Sequence, residues 1–131
     1  MSRQNPVLSA SNAWIEHFNQ GNASACAAGY SEDASLAAAP FGRFSGREAI
    51  HGFWQSMLDL GLSNLTYHDV RLHVIDEDSA LLSANWSMNK ASGVISKELW
   101  VRGADNIWRL AEDDFTVLAQ FAEPPAENQY P

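Results

Sequence analysis

The chain predicts an α+β fold, with N-terminal helices packed on a mostly antiparallel sheet. Three observations lead there. Behind Ser45-Gly46-Arg47-Glu48, apolar residues recur at helical spacing as far as Leu60. Beyond Gly61 the pattern changes to period two and holds through four segments separated by short polar turns. Ahead of both lies Pro40, which removes a backbone donor, so any strand before it is short, at an edge, or finished there.

Taken in order, residues 1–8 read as a flexible arm, residues 9–121 as one domain, and residues 122–131 as a polar, proline-rich disordered tail. Ser9 or Ser11 is placed to cap the first helix, whose apolar face is Trp14, Ile15 and Phe18; Gly21 ends it. Asn22 is placed to cap the second, with Cys26, Ala27 and Tyr30 facing inward. Tyr30-Ser31-Glu32-Asp33 reads as a corner held by the Asp33 side chain, followed by a short strand at Ser35-Leu36. Ser45 and Glu48 have the spacing of a capping box, which satisfies two orphan N–H groups reciprocally. Ala49, Ile50, Phe53, Trp54, Met57 and Leu60 line the third helix, and Gly61 suits its C′ position.

In the first strand segment, Leu65, Tyr67, Asp69, Arg71, His73 and Ile75 alternate with Thr66, His68, Val70, Leu72 and Val74. The next spans about Ala80 to Asn89, with Leu82, Ala84, Trp86 and Met88 on one side. Val94 to Arg102 and Ile107 to Val117 complete the meander. If Arg102 pairs with Ile107, Glu98 and Trp100 share a face with Arg109, Ala111, Asp113 and Phe115. Leu99, Val101, Trp108 and Leu110 then form an apolar row on the other face, where a homodimer is expected to join. A one-residue slip exchanges the faces.

Composition bounds the function. A chain of 131 residues with 46% hydrophobic and 18% charged residues suits one globular domain. A net charge of −8 lacks the basic face a nucleic-acid partner requires. The single cysteine, Cys26, excludes an intrachain disulfide and reads as a small buried thiol. No apolar leader or membrane-length run is present, so a cytoplasmic protein without a membrane partner is the expectation. His68 and His73 are five positions apart, which on a regular strand sends them to opposite faces and gives no metal site. No cofactor is expected either: there is no glycine-rich phosphate loop.

The order YSEDAS, a proline, FSGREAI and Phe53-Trp54 resembles the nuclear-transport-factor-2-like superfamily, whose members include ketosteroid isomerases and the SnoaL-like polyketide cyclases. The similarity runs over roughly residues 8–118. It implies a cone: a curved sheet wrapped round helices, with a cavity at the wide end and often a second copy alongside. It implies fold far more than activity. The resemblance to the isomerases also exposes departures. Their carboxylate base stands before a proline on the first strand, where this chain has Ala39; their tyrosine donor on the first helix is replaced by Trp14. The tyrosines that support that donor fall on Tyr30 and Trp54, and the second oxyanion donor falls on Glu98, or on Lys97 with a gap of one. Steroid-type isomerisation is therefore not expected.

The remaining polar candidates are Glu98 and the run Glu112-Asp113-Asp114. Neighbours alternate on a strand, so at least one carboxylate of that run faces inward. Buried among apolar groups, such a carboxyl has a raised pKa and can serve as general acid or base. The ordinary reading is a paired surface charge. Glu98 and Asp113 are the expected catalytic pair at a cavity floor. Trp14, Tyr30, Trp54, Trp86, Trp100 and Phe115 are the expected ligand-binding lining, against the plainer reading of core packing. Three functions remain open: binding a small, mostly apolar ligand, proton transfer on an apolar carbonyl compound, or a structural dimerisation module.

Overall fold

A computed structural model describes residues 5–120. Helices α1 (Pro6–Asn19) and α2 (Ala23–Ala28) come first. Strands β1 (Tyr30–Ala39) and β2 (Gly42–Ser45) precede helix α3 (Arg47–Asp59). The strands β3 (Thr66–Asp76), β4 (Ser79–Ser87), β5 (Ala91–Arg102) and β6 (Trp108–Gln120) follow. One six-stranded sheet has the order β2-β1-β6-β5-β4-β3. Its neighbours are antiparallel except β1 and β6, which run parallel. This is the expected α+β class: helices over a mostly antiparallel sheet that bulges bend into a curve.

The first helix starts earlier than Ser9 or Ser11. Asn5 accepts a hydrogen bond from the Val7 amide at 2.8 Å, and Pro6 occupies the position where a missing N–H costs nothing. Residues 6–8 of the expected arm are thus helical, while residues 1–4 and the expected tail at 122–131 lie outside the described residues. Asn22 caps α2 as expected, accepting from the Ala25 amide at 3.0 Å. Gly21 and Gly61 both hold the left-handed backbone that follows a helix end, with φ of 76° and 88°.

The expected corner at Tyr30–Asp33 is instead the start of β1, a ten-residue strand. Its partners override the local turn preference: β2 lies on one side and β6 on the other. Ala34, Leu36 and Ala38 face the core, and the strand finishes at the cis Ala39–Pro40 peptide. Ser45 pairs with Ser35 in this ladder, so it is not available as a cap. Gly46 takes the N-cap of α3 at φ 89° with no side-chain hydrogen bond, and the capping box does not form. Behind it Ile50, Phe53 and Trp54 are buried as the spacing predicts.

The strands depart from strict alternation in two places that matter. In β3 a bulge between His68 and Arg71, with Asp69 at φ 54°, shifts the parity. Tyr67 and Leu72 both face Trp86 and Leu82 of β4, and His68 and His73 therefore share the outer face, at the Asn85 and Leu81 register positions. In the last hairpin, Arg102 pairs with Trp108, not Ile107, and Ala111 is an extra residue between the Trp100–Leu110 and Leu99–Glu112 pairs. Leu110 is consequently in the core at 1% exposure, and Trp108 packs against the core beside it. The expected outer row of Leu99, Val101, Trp108 and Leu110 is broken; only Leu99 and Val101 remain outside. Among the described residues no helix is long and apolar enough to cross a membrane.

Candidate functional site

A cavity of about 310 Å³ lies between the inner face of the sheet and helices α1 and α3. Trp14, Trp54, Trp86, Trp100 and Phe115 are in its wall. The rings pack edge to face: Trp14 on Trp54 at 5.1 Å and Trp86 on Phe115 at 6.0 Å, with Trp54 stacked on Phe115 at 5.8 Å. Tyr30, expected in the lining, stands behind it and is fully buried. The lining also includes Tyr67, Phe53, Met57 and Ile95, which sequence reasoning passed over. Tyr67 was legible as an inward aromatic on β3; its chemistry was not, because its partner sits two strands away.

Glu98 on β5 and Asp113 on β6 are direct cross-strand partners, and both line the cavity. Their exposures are 2% and 6%. Opposed residues of an antiparallel pair have Cβ atoms about 5 Å apart, so the two carboxyl groups share one small volume. A bulge at Ser96 keeps Ile95 inward along with Glu98, and the bulge at Ala111 keeps Asp113 inward along with Leu110. Lys97, the alternative to Glu98 in a gapped reading, turns outward and pairs with Glu112.

Each carboxyl has its own donors. The Tyr67 hydroxyl donates to Glu98 Oε2 at 2.7 Å, and the Trp100 indole donates to Oε1 at 2.9 Å. The Tyr30 hydroxyl donates to Asp113 Oδ2 at 2.6 Å and itself accepts from the Trp54 indole at 3.1 Å. Asp113 Oδ1 has no protein partner among the described residues. Burial pushes the Glu98 carboxyl upward, against the two donors that favour its charged form. Asp113 is pushed well above the usual carboxylate range, first by burial and then by the neighbouring charge of Glu98; its single donor, Tyr30, opposes this. Both tyrosines are themselves held well above the ordinary phenol range by burial and by the carboxylates they touch.

The two carboxyls thus stand together in an aromatic-lined cavity, where burial favours the protonated form of each. Glu98, with both oxygens accepting, is the better site for the charge. Asp113, with one oxygen open, is the better site for the proton. A neutral acid and a charged base side by side can hydrogen-bond a ligand oxygen and accept a ligand proton.

Other expected participants stand elsewhere. The Trp14 indole donates to the Cys26 carbonyl at 3.0 Å, so it presents only its ring face to the cavity. Ala39 is exposed at the end of β1 and outside the lining. Cys26 is buried, and burial raises its thiol to about 12, which makes it an inert packing group. No group of three or more metal-ligating side chains occurs among the described residues.

The SnoaL-like domain family model matches residues 12–118. Among curated proteins none matches the sequence. Solved structures share the fold at low identity. A protein of unknown function with a cystatin-like fold from Nostoc punctiforme superposes with a TM-score of 0.77 at 13% identity, covering 89% of this chain and 92% of that one. A ketosteroid isomerase-like protein from Erwinia carotovora atroseptica gives 0.75 at 15% identity, over 87% and 95% of the two chains. ActVI-ORFA from Streptomyces coelicolor gives 0.71 at 16%, over 86% and 95%.

Proposed function

The chain belongs to the SnoaL-like domain family, and on that premise we propose that it binds a small, mostly apolar ligand in the aromatic cavity. The observation that carries this reading is the cavity itself: about 310 Å³ left open between aromatic walls, with Glu98 and Asp113 side by side in its lining. A purely structural module would fill that space with side chains. The outer face of the sheet is proposed as the seat of a homodimer, through Leu99 and Val101 together with Leu81, the cross-strand partner of Leu99.

A second reading, proton transfer on an apolar carbonyl compound, is favoured by one specific feature: the Glu98–Asp113 pair with its open Oδ1. Glu98 would take a proton from the carbon beside a carbonyl while Asp113 gives its own to the carbonyl oxygen. The product is an enol; the pair has exchanged its charge and remains singly protonated. Return of a proton to another carbon would complete an isomerisation. Ala39 carries no carboxylate to serve as the base used by steroid isomerases, so this pair is the substitute.

Thermal-shift screening with apolar ketones tests binding, with stabilisation expected for compounds that fill the cavity. Exchange of α-protons of a bound ketone for deuterium, followed by NMR, tests proton transfer. Glu98→Gln keeps an acceptor and the cavity shape, so it should retain binding and lose exchange by about 10²-fold or more. Stabilisation by no compound of fitting size would count against the binding reading, and exchange undiminished in Glu98→Gln would exclude the carboxyl pair as the base.

A further inference from the structure

We infer that Ser11 is a ligand-binding group, and that the ligand is an apolar ring compound with two oxygen functions, one held by Ser11 and one by Asp113. The inference rests on the binding reading above and names its ligand class.

The sequence offers Ser9 or Ser11 as the cap of α1, but Asn5 takes that role and Ser11 falls inside the helix. It lies on the buried face with Val7, Trp14 and Phe18, is 4% exposed, and lines the cavity. A serine inside a helix often turns its hydroxyl back to a carbonyl one turn earlier. Ser11 does not: its Oγ has no hydrogen-bond partner among the described residues. Two other unpartnered polar atoms, His17 Nδ1 and the Trp86 indole nitrogen, are sealed in the protein with under 1 Å² of accessible surface each. Ser11 Oγ is not sealed in this way, so the little surface that Ser11 retains includes its hydroxyl. That surface faces the cavity, because the residue stands on the inner face of α1 and in the cavity wall. An unpaired hydroxyl in an apolar wall costs stability, and alanine would hold the helix better. A ligand oxygen that pairs with Ser11 removes that cost.

Asp113 Oδ1, from the sheet side of the cavity, is the second such atom. It too lacks a partner among the described residues and keeps accessible surface, in a residue 6% exposed. Burial favours the protonated carboxyl, which donates to a ligand oxygen. The Ser11 hydroxyl can donate or accept. Their separation follows from α1. Trp14, three positions after Ser11, meets Tyr30 edge-on at 6.4 Å, and Tyr30 holds Asp113. Ser11 is thus displaced from that wall by most of a helical turn, about 4–5 Å along α1. A single ring spans such a gap. Trp14, Trp54 and Phe115 offer it aromatic surface on the way. A ring with an oxygen at each end therefore pairs both open groups and buries its body against the walls.

Calorimetric titration with hydroxytetralone, an aryl ketone with a phenolic hydroxyl across the ring from its carbonyl, tests this. Tetralone lacks the hydroxyl and hydroxytetralin lacks the ketone. Each should bind the wild-type chain about fivefold more weakly than hydroxytetralone, the range of one neutral hydrogen bond. Ser11→Ala should bring hydroxytetralone to the affinity of tetralone and leave tetralone unchanged. Asp113→Ala should erase the ketone's share and leave the hydroxyl's. Urea unfolding of ligand-free Ser11→Ala should show a chain at least as stable as the wild type, since only an unpaired hydroxyl is lost. Equal binding of hydroxytetralone and either analogue to the wild-type chain overturns the inference while the cavity reading stands. So does a preference for hydroxytetralone over tetralone that survives Ser11→Ala, or a loss of stability in that variant, which would give the hydroxyl a structural partner. Binding of none of the three compounds overturns both readings together.

Discussion

Both oxygens of Glu98 accept hydrogen bonds, whereas Asp113 receives one donor, and that difference assigns charge and proton within the pair. Two predictions belong at this scale. Tyr30→Phe removes the donor to Asp113 and the acceptor for the Trp54 indole, leaving two buried groups unpaired. It should cost about 1–3 kcal/mol in urea unfolding. The second concerns pH. Asp113 keeps its proton in the folded chain to a higher pH than in the unfolded chain. Between those two pKa values the folded state binds more protons, so stability falls as pH rises. The contribution is complete below the ordinary carboxylate range and is lost as pH passes the raised folded value. Asp113→Asn keeps an acceptor for Tyr30 and has no proton to lose. Thermal unfolding between about pH 5 and pH 9 should therefore show a shallower decline in this variant than in the wild-type chain. Parallel declines would mean Asp113 ionises as freely folded as unfolded.

Elements were legible where burial follows one local period, and illegible where a bulge or a distant partner intervenes. The helix ending at Gly61 and the meander from β3 to β6 are written in spacing alone. β1 is not: Tyr30–Asp33 carries turn chemistry, and only pairing with β6, some eighty positions away in the chain, makes it extended. The last hairpin is the instructive case. Its turn is one residue longer than the Arg102–Ile107 pairing assumes, which moves Leu110 into the core. The bulge at Ala111 then restores the assumed parity for Glu98 and Asp113. Two one-residue displacements cancel at the carboxyl pair and fail to cancel at Leu110. The donors to the pair come from strands remote in sequence, Tyr30 on β1 beside β6 and Tyr67 on β3 two strands from β5, so no spacing rule connects them. Gly93 shows how closely these strands approach. A Cβ there would strike the Thr116 carbonyl of β6 and come within 2.8 Å of the Trp86 ring. Gly93→Ala should destabilise the chain by about 3 kcal/mol or more, since the obstacle is backbone as well as side chain. Hydrogen exchange should show the loss concentrated in β5 and β6, and a variant as stable as the wild-type chain would contradict the close packing.

At the scale of the whole molecule, the sheet has two faces with separate duties. The inner face is consumed by helices and cavity. The outer face presents Leu81, Leu99 and Val101 at one end and Leu118, 67% exposed, on β6. The register correction removes Leu110 and Trp108 from that surface but adds Leu81, so an apolar strip persists across β4 and β5. The Lys97–Glu112 ion pair lies beside it on the same face, as Leu99 pairs with Glu112. Such a strip flanked by charge matches an apolar interface centre with a polar rim. A second copy, turned about a two-fold axis, would present the same strip to it. Light scattering should find a two-chain mass at micromolar concentration. The double substitution Leu81→Lys/Leu99→Lys puts two opposed ammonium groups at the centre of the strip, where like charges repel and each must be desolvated. It should raise the dimer dissociation constant by at least about tenfold, as loss of a central apolar anchor does. Neither residue lines the cavity, so ligand binding measured on the resulting monomer should match the wild-type chain. If mass and binding fall together, the outer face helps to shape the site. If the mass is unchanged, the dimer forms through another surface or does not form at all.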